Sequence, residues 1–231
     1  METKEINGWL NIDKPLNYSS AKVVAIVKRM LKAKKVGHGG TLDPLATGVL
    51  PICINKATKT VEKMMNFDKE YLFNITFGEE RSTGDAEGEV IERNLKIPTE
   101  EEIRNNLSKF IGNIEQMPPI YSALKVNGKR AYELARNNDT VELKPRNVIV
   151  YNFDFIGFVS KDTAQFSVKC GKGFYVRSIG IDFSRALGTV GYISYLKRIS
   201  VGPFNQENMI TIEQLKSAIE SCEIEKNLLY I

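Results

Sequence analysis

Ile149, Tyr151, Phe153 and Phe155 alternate with polar or charged-tolerant positions, as do Ala164, Phe166, Val168 and Cys170, and only the turn-prone stretch from Gly157 to Asp162 lies between the two runs. Apolar residues at a period of two mark half-buried strands, and two such runs joined by a short turn predict an antiparallel hairpin. That hairpin excludes an all-helical fold and a purely parallel sheet. A third alternating run, Tyr71, Phe73, Ile75 and Phe77, adds a strand. Helices are interspersed. Ser19 or Ser20 can cap one running to about Ala33, with Val23, Ile26, Val27, Met30 and Leu31 on one face and Lys22, Lys28, Arg29 and Lys32 on the rest. Thr99 to Glu102 forms a capping box before Ile103, Leu107, Phe110 and Ile111. Ile179, Phe183, Ala186 and Leu187 mark a further helix, and Thr211 to Gln214 cap a last one carrying Leu215, Ala218 and Ile219. At 231 residues, without an internal repeat or a linker-like tract, the chain is expected to form one domain, or one and a half.

Several classes of function drop out. No segment approaches the roughly 20 apolar residues of a membrane span. The opening Met-Glu-Thr-Lys-Glu places acids where a signal or transit peptide has none, so a cytoplasmic location is expected. Cys53, Cys170 and Cys222 lie far apart and read as small core or surface residues, and His38 is the only histidine. Paired-cysteine and two-imidazole metal sites are therefore excluded, and metal-free chemistry is expected. Neither glycine-rich phosphate-binding pattern is present, so phosphates must be handled by side chains.

The charge is unevenly spread. Lys14, Lys22, Lys28, Arg29, Lys32, Lys34, Lys35, Lys56 and Lys59 face a single acid, Asp43, across residues 14–61. Lys169, Lys172, Arg177, Arg185, Lys197 and Arg198 face only Asp182 across residues 169–198. Two basic regions point to a polyanion, nucleic acid being the commonest, with a solvated charged face as the equal alternative. Residues 79–102, rich in acids, are expected to face away from such a partner. Gly112 to Val148 is basic and turn-rich, studded with Lys125, Lys129, Arg130, Arg136, Lys144 and Arg146, with a short helix at about Ala131 to Arg136. It is either a plain surface loop or an arm that closes on a ligand.

The densest signal is Gly37-His-Gly-Gly-Thr-Leu-Asp43-Pro-Leu-Ala-Thr-Gly48. Its glycines mark a tight path where backbone approaches something closely or takes positive φ. Asp43 either starts a turn, as an Asp before Pro commonly does, or performs chemistry. Cations nearby keep a carboxylate ionised at neutral pH, the state a nucleophile or base needs.

This run to Pro51, with Asn11-Ile-Asp-Lys-Pro15, Lys69-Glu-Tyr71, Tyr121-Ser-Ala-Leu-Lys125 and Cys170-Gly-Lys-Gly-Phe-Tyr-Val-Arg177, resembles the bacterial TruB-type tRNA pseudouridine-55 synthases. The likeness runs from about Gly8 to Leu215 with the blocks in the family's order. It implies an α+β fold: a mixed, mostly antiparallel central sheet flanked by helices, with a cleft across its middle and a basic thumb insertion at 112–148. One catalytic domain is expected over 1–231, without the family's C-terminal PUA module.

The resemblance also implies the reaction: isomerisation of uridine 55 in the T-loop of tRNA, with no cofactor and no metal. Asp43 matches the aspartate that attacks the flipped-out nucleotide. Tyr71 matches the tyrosine that stacks on the base, and Arg177 the arginine that pairs with the aspartate, whose charge never titrates away. Tyr175 and Leu196 match positions lining the uridine pocket. His38 matches the histidine that fills the place of the extruded base, easing a flip that costs a few kcal/mol. Lys14 matches a lysine near the active site. The implied partner is the T-arm stem-loop of tRNA; a monomer without an obligatory protein partner or membrane is expected. Other readings are a non-catalytic tRNA-binding or folding protein on the same scaffold, and a guide-RNA-dependent synthase.

Overall fold

A computed structural model describes residues 6–122, 124–126, 129–130 and 143–230. Its strands are β1 (Gly8–Lys14), β2 (Val36–His38), β3 (Ala46–Ile54), β4 (Lys69–Phe77), β5 (Glu79–Arg81), β6 (Val90–Arg93), β7 (Gly112–Gln116), β8 (Lys125–Val126), β9 (Lys129–Arg130), β10 (Arg146–Phe158), β11 (Thr163–Cys170), β12 (Gly191–Val201) and β13 (Phe204–Asn205). The helices are α1 (Ser20–Met30), α2 (Val61–Asn66), α3 (Glu100–Leu107), α4 (Val176–Ala186) and α5 (Ile212–Glu220). The chain folds as two compact units, one of residues up to Tyr71 with those from Lys197 onward, the other of Leu72–Leu196.

In the first unit the strand order is β1–β3–β12, with β2 on β3 and β13 on β12. β1 and β3 run antiparallel, Gly8 opposite Ile54 and Lys14 opposite Gly48. Trp9, Val49, Cys53, Met64, Val201 and Phe204 form its core, and the Trp9 indole donates to Thr60 Oγ1 at 3.1 Å, so the one polar atom of that ring is satisfied. Helix α1 begins where Ser19 accepts the Lys22 amide, as the sequence predicts, but it stops at Met30, short of Ala33. Lys32 takes φ +49°, and the Ala33 and Lys32 amides turn back to the carbonyls of Lys28 and Arg29. That paired return is the left-handed helix stop usually built on glycine.

Gly48 is where the first unit's sheet is tightest. Its φ is +93°, and a β-carbon there would stand 2.3 Å from the Arg198 carbonyl oxygen. Gly48→Ala is expected to lower the unfolding free energy by about 3 kcal/mol or more, read from urea denaturation, because both the backbone angle and the β3–β12 approach must give.

In the second unit the order is β12–β4–β11–β10–β7. The expected hairpin is β10–β11, antiparallel with Phe155 opposite Phe166. Its packing differs from simple alternation. Val148 and Val150 are buried, then Phe153 and Phe155, while Tyr151 is exposed. A bulge between Val150 and Asn152 inserts one residue and moves the inward face from even to odd positions. Phe73, Phe153, Phe166 and Phe183 pack as one aromatic cluster, Phe183 of α4 meeting Phe153 edge-on at 5.1 Å. The capping boxes of α3 at Thr99 and Glu102, and of α5 at Thr211 and Gln214, form as expected. Parallel bridges at Ile12–Ile210 and Asp85–Ile193 stand beside the antiparallel ladders of β1–β3, β2–β3, β12–β13, β10–β11 and β7–β10.

The acidic stretch folds into the β5–β6 hairpin, where Glu80 is buried under a two-point contact from Arg185 at 2.7 and 3.1 Å, and Asp85 is buried as well. One expectation is corrected. The basic insertion is narrower than 112–148, since Gly112–Gln116 and Arg146–Val150 pair as sheet strands. The helix expected near Ala131 lies outside the described residues. Of the cysteines, Cys53 and Cys170 are buried and Cys222 is exposed.

Candidate active site

Asp43 sits half-buried in the loop between β2 and β3. The turn expected of Asp before Pro forms: the Asp43 carbonyl accepts the Ala46 amide at 3.0 Å, with Pro44 in the second position. The carbonyls around it are all held. Arg198 donates from Nη2 to Gly40 at 3.1 Å and from Nη1 to Thr41 at 3.4 Å. The Ser20 hydroxyl donates to the Leu42 carbonyl at 3.0 Å and accepts the Leu42 amide at 2.8 Å. Lys14 Nζ and the Asn17 amide reach Pro44 at 3.1 and 2.9 Å. The loop that carries the carboxylate is thus fixed residue by residue.

Lys14 and Arg198, each counted in the sequence with a basic group, are buried at 0 % and 1 % exposure. Lys14 donates to the carbonyls of Pro15, Tyr18 and Pro44 and so holds the loop. The sequence marks Ser20 only as one of two possible helix caps and Arg198 only as a member of a basic group, not as holders of this loop. The available signal was that Arg198 falls two residues after Leu196 on an alternating strand, an inward position for a cation.

Burial brings the Lys14 ammonium from 10.5 down to about 8; Asp43 opposes that shift, Arg198 adds to it and Asp13 opposes it. The folded value lies below the unfolded one, so between about 8 and 10.5 the unfolded chain holds the extra proton and stability rises with pH. Relative to Lys14→Met, which carries no such proton, the unfolding free energy of the wild-type chain is expected to rise by about 3 kcal/mol across that window. Urea titrations of both proteins on either side of it provide the check; a constant gap would contradict the assignment.

His38 closes β2 opposite Ile52, and its Nδ1 accepts the Gly40 amide at 3.3 Å. An accepting Nδ1 places the neutral ring's proton on Nε2. Tyr71 lies half-buried on β4, two residues before Phe73 and in phase with the alternation that buries Phe73, Ile75 and Phe77.

In the second unit Arg177 occupies the first turn of α4 and is buried, at 5 % exposure. Nη1 donates to the Thr83 carbonyl at 3.0 Å and Nη2 to that of Tyr121 at 2.8 Å, while Nε lies 3.8 Å from Asp85 Oδ2. Asp85 in turn accepts from the Thr83 hydroxyl at 2.5 Å and the Glu87 amide at 3.1 Å. The start of α4 is clasped from β7: the buried Gln116 amide accepts from the Tyr175 amide at 3.0 Å and donates to its carbonyl at 3.2 Å, and Ser178 donates to Met117 at 2.6 Å. Tyr175 is half-buried and Leu196 buried. Asp85, Thr83 and Gln116 escaped the sequence reading because each acts across tens of residues on a partner that no local spacing marks.

The sequence profile of the TruB family pseudouridylate synthase N-terminal domain matches residues 28–176, and that of the tRNA pseudouridylate synthase B C-terminal domain matches 177–229. The chain belongs to the TruB family. Curated relatives include the tRNA pseudouridine synthase B of Rhizobium etli, 46% identical over 95% of this chain and 71% of that protein. Those of Anaplasma marginale and Gluconacetobacter diazotrophicus are 45% and 47% identical, over 97% and 98% of this chain and 73% and 74% of theirs. Among solved structures, a chain of a Cbf5-Nop10-Gar1 complex superposes with TM-score 0.74 at 30% identity, covering 95% of this chain and 56% of that one. A chain of an H/ACA RNP bound to a substrate RNA containing 2'-deoxyuridine gives 0.71 at 27%, over 95% and 55%. The TruB architecture expected from the sequence, α+β with a mixed, mostly antiparallel sheet, is the one described above.

Proposed function

We propose that this TruB-family chain isomerises uridine to pseudouridine at position 55 in the T-loop of tRNA, in the cytoplasm and without metal or cofactor. The observation that carries the reading is the half-buried Asp43 on a loop whose carbonyls from Gly40 to Pro44 are all hydrogen-bonded, within electrostatic reach of the buried Lys14. Family membership and relatives named tRNA pseudouridine synthase B at 45–47% identity support it.

In the reaction the N1–C1′ bond of the uridine breaks, the uracil turns and C5 bonds to C1′; C5 gives up its proton and N1 takes one up. Asp43 acts on the flipped-out nucleotide to start this exchange, Tyr71 stacks on the base, and Arg177 supplies a permanent positive charge held by two backbone carbonyls. Tyr175 and Leu196 line the uridine pocket and His38 fills the space the base leaves. A preset backbone suits this chemistry, because a loop already in place costs no reorganisation when the nucleotide arrives.

The test is a T-arm hairpin carrying tritium at uridine C5. Stoichiometric release is expected from the hairpin with uridine at position 55, none when that position holds cytidine, and no change on adding a guide RNA. Tight binding to the hairpin and to full-length tRNA without release from either would overturn the enzymatic reading in favour of a binding protein.

A further inference from the structure

We propose that Arg198 and Ser20 are positioning residues for Asp43, setting its place through the backbone of residues 40–42. The inference rests on the reading in which Asp43 is the reacting group.

Burying a guanidinium removes a permanent charge from water, and such a charge persists inside a protein only when its donors are satisfied. Arg198, at 1 % exposure, directs them at main-chain oxygens: Nε to Val49 at 2.8 Å, Nη1 to Thr41 at 3.4 Å and Nη2 to Gly40 at 3.1 Å. One rigid fork therefore ties β3 to the two residues that lead into the Asp43 turn. Ser20 works from the opposite side of the sequence. Ser19, not Ser20, caps α1, so the Ser20 hydroxyl is free of that task and clasps both polar atoms of the Leu42 backbone. Leu42 is itself buried, so without that hydroxyl its amide and carbonyl lose their partner away from water.

The segment needs such a brace. Gly39 and Gly40 precede it, and glycine restrains a backbone less than any other residue. The turn hydrogen bond from Ala46 to Asp43 fixes the loop only on its far side. Arg198 and Ser20 supply the near side, leaving the carboxylate little freedom to drift. A displacement of about 1 Å at a reacting group costs on the order of 100-fold in rate.

Three variants and a control separate positioning from mere stability. Ser20→Ala is expected to slow single-turnover tritium release by at least about tenfold, with affinity for the hairpin within about twofold, since the loop is displaced without loss of RNA contacts. Ser20→Thr keeps the hydroxyl and is expected to restore the rate to within about threefold. Arg198→Lys keeps the charge but has one nitrogen in place of the three that meet Val49, Thr41 and Gly40, and is expected to fall at least as far as Ser20→Ala. Val27→Ala, which cuts into the same helix's buried face two turns on, is expected to lower the melting temperature yet keep the wild-type rate. Hydrogen exchange of a peptide spanning residues 39–46, expected to quicken in Ser20→Ala and Arg198→Lys but not in Val27→Ala, is read without any substrate. Wild-type rates in folded Ser20→Ala and Arg198→Lys, or unchanged exchange in both, would overturn the inference. A wild-type protein that releases no tritium would instead count against the proposed function, with exchange still deciding whether the brace exists.

Discussion

Asp43→Asn is expected to reduce single-turnover isomerisation by at least about 1,000-fold while leaving hairpin affinity within a few-fold and the melting temperature nearly unchanged. The separation follows from the loop. The Asp43 backbone carbonyl accepts the Ala46 amide, and asparagine before proline starts the same turn. Leu42 and Pro44 on either side remain tied to Ser20 and Lys14. The variant therefore changes one charge in an intact frame. Tritium release, a binding titration and a thermal melt on the same preparation decide the matter, and release within tenfold of the wild type would sink the nucleophilic role.

Arg177→Lys carries the second largest expected effect, a loss of roughly 100-fold in turnover together with about 2–4 kcal/mol of stability. The guanidinium fork reaches the Thr83 and Tyr121 carbonyls in two directions while its Nε faces Asp85. A lysine ammonium is a single point at the end of a flexible chain and can replace at most part of that set, leaving buried acceptors without donors. Tyr121 lies in the insertion between β7 and β10, so the same residue that brings a fixed charge also ties down the foot of that segment. Urea denaturation and single-turnover kinetics of the variant test both halves; a folded protein with near wild-type turnover would remove Arg177 from the reaction.

Much of the scaffold was legible because its signals are local. Ser19, Thr99 and Thr211 announce helix starts through hydrogen bonds that span only three residues, and the β10–β11 hairpin is written in two neighbouring runs. The inward face of β10 was not legible, since the bulge after Val150 adds one residue to one strand alone and leaves no mark in composition. Charge counting failed at Lys14, Arg198, Glu80 and Asp85 for a related reason. A tally treats every ionised side chain as solvated, whereas these four are buried and meet carbonyls or opposite charges 30 or more residues away. At the candidate site, the motif containing Asp43 could be read directly; the buried groups that hold its loop could not, because Arg198 lies more than 150 residues from the carbonyls at Gly40 and Thr41.

The three cysteines give the chain its own reporters of opening. Burial raises the Cys53 thiol above its ordinary range, so in the folded state it is both shielded and poorly ionised, the two conditions that slow alkylation. Cys170 is shielded in the other unit, and Cys222 is open to reagent from the start. A brief pulse of alkylating agent followed by mass measurement thus counts one label on the native protein. Each further label dates the moment when one particular unit lets solvent in, which makes it measurable whether the frame around Asp43 melts with the aromatic core of its neighbour or ahead of it.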